Sequence, residues 1–208
     1  MNVFYEKKMD NALRFGDVLH GYILASPNIK APNKIDNYNI DINLPSFCVV
    51  LSPCCSIGNR MISLSPLIKL EKNFFNNPYL AEDMTRINRE MNPEQTLPPL
   101  VWEKLLPEEK QKRLARGTGY AFVELFIYDR NEYFTSYNLG KEGGIETNYH
   151  MIDFRNIHKI CCEKIINPQN APLETKVLQL SIQARAELRD KISFYYGRVP
   201  DEDKILED

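Results

Sequence analysis

The sequence predicts a mainly β fold with α additions (α+β): a small, strongly bent antiparallel barrel with a helical insertion and a C-terminal helix. Three observations carry that expectation. Short apolar and β-branched runs alternate with Gly, Pro, Asn and Asp at turn spacing. A central stretch, about residues 70–118, is helix-forming and broken by prolines. The last stretch, about residues 173–196, carries apolar residues at steps of three and four.

Residues 1–15 read as a short helix packing on the rest. "GDVLHGYILAS" (16–26) alternates as a strand, with Gly16 and Asp17 marking the turn before it. Residues 27–45 are rich in Asn, Pro and Lys and read as a long loop with a short edge strand near Ile40–Ile42. Phe47–Ser52 and Met61–Ser65 flank Pro53–Arg60 as a hairpin, and Gly58-Asn59 suits the positive φ of a tight turn. In the insertion, Pro107-Glu108-Glu109 reads as a helix start, with proline in the first turn and acids at the positive end of the dipole; Gly117 ends that helix. Strands resume at 120–128, 132–138, 146–154 and 158–166, with Gly140, Gly143 and Gly144 in the loop between the middle pair. Leu173, Val177, Leu180, Ala184, Leu188, Ile192 and Tyr195 form one helical stripe, with Gly197 at its end and Pro200 as a stop.

A chain of 208 residues suits one domain, and 43% hydrophobic residues are enough to build its core. The net charge of −2 offers no overall basic field for nucleic acid. No apolar run approaches the roughly 20 residues of a membrane span, and the start lacks the apolar core of a signal peptide. Five cysteines, two pairs of them adjacent, show no disulfide framework, so a reducing cytoplasm with free thiols is expected. No cofactor is expected.

The order of the short motifs resembles the MazF/PemK-like family of toxin barrels, which are SH3-like. Gly16-Asp17-Val18 is similar to the family's Gly-Asp-Ile/Val strand. "LPSFCVVLS" (44–52) is similar, at Pro45 and at Val49 to Ser52, to its Arg-Pro-x-x-Val-Leu/Ile-Ser strand. Pro66-Leu67-Ile68 stands where the family has Pro-Leu-Thr, and "MIDFRNIHKI" (151–160) is similar to a later strand pair. The resemblance covers residues 16–68 and 120–195; the insertion and Cys54-Cys55 are foreign to it.

The family's ribonucleases use the Arg and the Thr of these motifs, a cation stabilising a dianionic phosphorane and a polar group positioning it. Here those positions hold Leu44 and Ile68. An apolar residue supplies no charge, so the resemblance implies a fold that persists as a binding module. The implied role is a regulator of a prokaryotic toxin–antitoxin or CRISPR/phage-defence system acting by protein–protein contact, of the type cleaved by CRISPR-associated proteases and masking a sigma factor. Its partner would be another protein (antitoxin, sigma factor or protease), and the resemblance also implies a homodimer. The rival expectation is a sequence-specific endoribonuclease with relocated residues, Arg60, Lys69 and Ser52. A third is a zinc-binding structural protein.

For zinc, Cys54, Cys55, Cys161 and Cys162 stand with His150 and His158. Adjacent cysteines on a strand point to opposite faces, which narrows the set to one of each pair and a histidine, such as Cys54, Cys162 and His158. The competing reading, cysteines as small core hydrophobes, is favoured. Cys54 or Cys55 as a nucleophile would need His20, His150 or His158 as base. Arg185, Arg189 and Arg198, with nearby aromatics, form a candidate nucleic-acid face on the last helix, diluted by Glu187 and Asp190. Trp102, Phe74, Phe75 and Tyr79 are candidate partner anchors in the insertion, and equally residues that pack helices.

Overall fold

A computed structural model describes residues 3–29, 38–140 and 144–197. In chain order the strands are β1 (Val18–His20), β2 (Leu24–Ile29), β3 (Tyr38–Asn43), β4 (Phe47–Val50), β5 (Met61–Pro66), β6 (Ile68–Lys69), β7 (Leu125–Tyr128), β8 (Tyr137–Asn138), β9 (Glu146–Thr147), β10 (His150–Asp153), β11 (His158–Cys161) and β12 (Lys176–Leu178). The helices are α1 (Pro78–Ala81), α2 (Pro99–Lys104), α3 (Pro107–Leu114) and α4 (Ile182–Gly197). The chain is therefore mixed α and β. Its sheets are open: among the described residues no ladder closes into the expected barrel. The chain divides into two compact units, residues up to Ile68 with Arg155–Arg185, and Lys69–Phe154 with the stretch from Ala186 onward.

The first unit is built on a five-stranded sheet of order β11-β5-β4-β1-β12, with β2 and β3 as a separate two-stranded hairpin. The expected 16–26 strand breaks at Gly21, whose φ of 79° is in the left-handed region that favours glycine. β1 stays in the main sheet and β2 leaves it. The expected loop at 27–45 is largely this hairpin: β2 pairs antiparallel with β3 from Leu24↔Asn43 to Ile29↔Tyr38. Pro27 sits within β2, which a two-stranded ribbon tolerates because each strand has an edge.

β4 and β5 pair as expected, with Val50 opposite Leu64. Their connection is a 3₁₀ turn at Cys54–Ser56, then Asn59 and Arg60 at φ 51° and 62°. A Cβ on Gly58 would lie 3.0 Å from the Ile166 carbonyl oxygen, so glycine permits a close backbone approach.

The C-terminal helix begins nine residues later than its apolar stripe predicts. Leu173–Thr175 is a 3₁₀ turn, β12 follows and pairs with β1 (Val18↔Leu178), and α4 starts at Ile182. The helical stripe runs through Leu173, Val177 and Leu180, but the side chains buried are the alternate ones, Lys176, Leu178 and Leu180, because the open edge of β1 pairs this stretch as a strand. Ser181 Oγ accepts from Ala184 N at 3.2 Å, the capping geometry that marks the true start. The unit's core gathers Leu13, Leu19, Leu24, Cys48, Val50, Ile57, Ile62, Leu64 and Ile165.

In the second unit β7 pairs antiparallel with β10. The expected strands shrink here: 120–128 to β7, 132–138 to β8, and 146–154 to β9 and β10. The insertion is helical as expected, in short pieces, and α3 starts at Pro107 with Glu108 and Glu109 in its first turn. It supplies core as well as surface: Phe74, Leu80, Met84, Ile87 and Met91 pack with Leu125, Ile127 and Met151. Buried Asn88 substitutes for a neighbouring strand, its amide donating to the Ile127 carbonyl and accepting from Ile127 N, each at 2.7 Å.

Candidate functional site

The β2–β3 hairpin reverses the usual pattern of a half-buried ribbon. Ala25 lies opposite Ile42 and Pro27 opposite Ile40, so these four share a face. Ile23 and Leu44 stand at the next alternate positions. All six are exposed, Ile23 by 62%, Ile40 by 70%, Ile42 by 67% and Leu44 by 72%. The other face is the more polar one: Leu24 is buried, Ser26 Oγ lies 3.1 Å from His158 Nδ1, and Asn28 donates to Asp41 at 3.0 Å. The alternation of Ile40, Ile42 and Leu44 is legible in the sequence. Its outward direction is not, because a period of two fixes two faces without saying which one meets the core.

A second feature of the first unit is a cavity of about 370 Å³ at the β4–β5 connection, lined among others by Ser52, Ser56, Asn59, Ser63 and Lys159. Ser52 Oγ accepts from Ser63 N at 2.8 Å, and Lys159 stands opposite Ser63 across β11 and β5. Hydroxyls beside an ammonium are chemistry for holding anionic oxygens. No histidine lines the cavity among the described residues, so Ser52 has no imidazole base there.

The three residues of the ribonuclease expectation are placed as follows. Ser52 lines the cavity. Arg60 is exposed and pairs loosely with Glu163 at 3.6 Å. Lys69 belongs to the second unit, its ammonium 5.1 Å over the Tyr137 ring.

The zinc set is not assembled either: among the described residues no group of three or more His, Cys, Asp or Glu gathers for a metal. Cys54 and Cys55 sit on the 3₁₀ turn rather than on a strand. Cys162 is half-buried against the core, and His158 is held at Nδ1 by Ser26 and at Nε2 by Asn156 Oδ1, 2.7 Å away. Burial pushes the Cys48 thiol up to about 12. His150, in the second unit, is packed against Phe134 and Tyr137, and burial lowers its pKa.

On α4, Arg185 donates to the Leu180 carbonyl at 3.0 Å and Arg189 lies 3.1 Å from Asp190, so both guanidinium groups have partners on their own chain; Arg198 lies outside the described residues. In the insertion Phe74 is buried against Phe122, which removes it from the expected anchors. Phe75 packs partly on the same core, Tyr79 is capped by the Arg86 guanidinium 4.3 Å from its centroid, and Trp102 is half-buried beside exposed Leu100 and Val101.

Sequence reasoning missed a buried ion pair. Lys176 Nζ lies 2.8 Å from Asp17 Oδ2, and also reaches Gln179 Oε1 at 2.7 Å, the Ala12 carbonyl at 2.8 Å and Asp10 Oδ1 at 3.2 Å. Asp17 is fully buried, and its Oδ1 has no hydrogen-bond partner among the described residues. Desolvation outweighs the neighbouring ammonium and pushes its carboxyl up to about 6. The Gly-Asp-Val motif is thus scaffold here: Gly16 turns at φ 87°, Val50 N bonds the Asp17 carbonyl, and the side chain anchors β12.

Compared with protein-family models, curated proteins and solved structures, the chain matches none. Among the described residues no helix is long and apolar enough to cross a membrane.

Proposed function

We propose that this chain is a MazF/PemK-like regulatory binding protein of a prokaryotic toxin–antitoxin or CRISPR/phage-defence system, acting by protein–protein contact. One observation supports the reading: Ala25, Pro27, Ile40 and Ile42 share an exposed apolar face of the β2–β3 hairpin, and Leu44, which the resemblance aligns with the family's catalytic arginine, is exposed just after β3. A charge-free exposed face of this kind favours a protein partner over RNA, whose phosphates demand cations. Antitoxin, sigma factor and protease are the partner classes that the resemblance implies.

The test is co-expression with the proteins encoded beside this chain, followed by purification of any complex. The expected result is a stable complex that Ile42→Asp abolishes. Site-selective cleavage of a long RNA by the purified chain, lost on Ser52→Ala or Lys159→Ala, would replace this reading with the endoribonuclease one, for which the Ser52–Lys159 cavity supplies an anion-holding surface.

A further inference from the structure

β2 carries a serine into reach of a histidine. Leu24 is buried in the core of the first unit and pins the strand there. Ser26 is two residues on, so its side chain points the same way, towards β11. Ser26 Oγ lies 3.1 Å from His158 Nδ1, at the start of β11, and His158 Nε2 lies 2.7 Å from Asn156 Oδ1. Both distances fall within the roughly 2.6–3.2 Å that joins a nucleophile, its base and the group that orients the base. All three residues belong to the first unit and are half-buried, so solvent reaches them.

Asn156 sets the direction of the hydrogen bonds. A carboxamide oxygen only accepts, so in the neutral imidazole the proton is on Nε2 and Nδ1 is the bare nitrogen. The Ser26 hydroxyl therefore donates to Nδ1, the direction that general-base catalysis requires. Charge beside the serine limits the substrate. Asp41 lies directly opposite Ser26 across the ribbon, so its exposed carboxylate shares this face, where it accepts from Asn28 at 3.0 Å. A carboxylate so near the attacking oxygen disfavours an anionic substrate.

We propose that Ser26, His158 and Asn156 form a hydrolytic site for uncharged or cationic esters. Ser26 is the nucleophile, His158 its general base, and Asn156 the positioning residue that fixes the imidazole tautomer. Ser26 Oγ attacks the carbonyl carbon and its proton passes to His158 Nδ1, while the carbonyl π pair moves onto oxygen. That pair returns as the bond to the alcohol oxygen breaks, and the imidazolium gives the alcohol its proton. Water, deprotonated by the same Nδ1, then attacks the acyl carbon; Ser26 leaves and recovers a proton from the imidazolium. This activity is separate from the protein-contact reading and uses none of its residues.

The experiment treats the full chain with a fluorophosphonate, from which an activated serine displaces fluoride and an ordinary serine does not, and locates the adduct by peptide mass mapping. The expected adduct is on Ser26. His158→Gln should slow its formation about 100-fold or more, as loss of a general base implies. Asn156→Ala should slow it about tenfold or more, and Asn156→Asp, which also accepts from Nε2, should restore it. The chain should hydrolyse p-nitrophenyl acetate faster than the anionic p-nitrophenyl hemisuccinate, and Ser26→Ala should lose this hydrolysis. Circular dichroism checks that each variant is folded; Ser26→Ala, which removes one half-buried hydroxyl, tests the site even where His158→Gln unfolds.

No adduct on Ser26, or one formed as fast in folded His158→Gln, would overturn the site and leave the three residues a structural hydrogen-bond chain. An unchanged rate in Asn156→Ala would overturn its positioning role. Faster hydrolysis of the hemisuccinate would overturn the substrate class. None of these results touches the complex that Ile42→Asp is expected to abolish, so the two proposals fail separately.

Discussion

Replacing Lys176 by methionine tests the electrostatic anchor between β1 and β12. The side chain of Lys176 is 2% exposed and that of Asp17 is fully buried. Methionine fills much of the volume but leaves the Asp17 carboxylate without its cation, and the Gln179 and Ala12 oxygens without their donor. Breaking a buried pair from one side costs about 3–5 kcal/mol. The loss should depend on pH. Folded Asp17 holds its proton up to about pH 6, while the unfolded side chain releases it near 3.8. The folded state therefore binds more protons in that window, and this group's contribution to stability falls as pH rises from about 4 to about 6. Without Lys176 the carboxyl is pushed up further, so the penalty extends into the neutral range. Urea unfolding followed by circular dichroism should show the full loss at pH 8 and a distinctly smaller one at pH 5, where a neutral carboxyl needs no counter-charge. Equal losses at both pH values, or a loss under about 1 kcal/mol at pH 8, would refute the reasoning. Asp17→Asn combined with Lys176→Met should cost less than the sum of the single changes.

Three further outcomes are expected. Lys191 is fully buried on α4, donates to the Ile87 carbonyl, and is held by desolvation well below its usual value of 10.5. Its unfolded form binds the extra proton, so its burden on stability is greatest at low pH and shrinks as pH rises toward 10.5; Lys191→Met should stabilise the chain at pH 7 and do so less at pH 10, read by thermal melting. Asn88→Leu strips both partners from the Ile127 backbone and should cost about 2–4 kcal/mol, seen as a lowered urea midpoint and faster amide exchange along β7. Arg60→Ala removes only an exposed, loose pair with Glu163; the urea midpoint should not move, and a change in RNA cleavage would assign Arg60 to the catalytic set.

Much of the secondary structure was legible because its signals are local. The β4–β5 pair, the proline-started α3 and the helical character of the insertion follow from apolar runs, turn residues and caps. The errors share one cause. The run from Leu173 satisfies a helical stripe and a strand alternation together, and the free edge of β1, distant in sequence, made it β12. Residues 27–45 were dominated by Asn and Pro, so the pairing of Pro27 with Ile40 was hidden until β2 and β3 met. Phe74, an interface anchor by residue type, became core once the insertion folded against β7.

By itself the sequence determined composition, turn chemistry and the apolar character of Leu44 and Ile68. It could mark Ile40, Ile42 and Leu44 as alternating. Tertiary structure alone decided that they face outward, since which side of a ribbon is buried depends on what packs beneath it: Leu24 in the core and Ser26 against His158. The same holds for Asp17 and Lys176, more than 150 residues apart, whose pairing no local pattern announces. They meet because β12 completes the edge of the sheet that β1 leaves open.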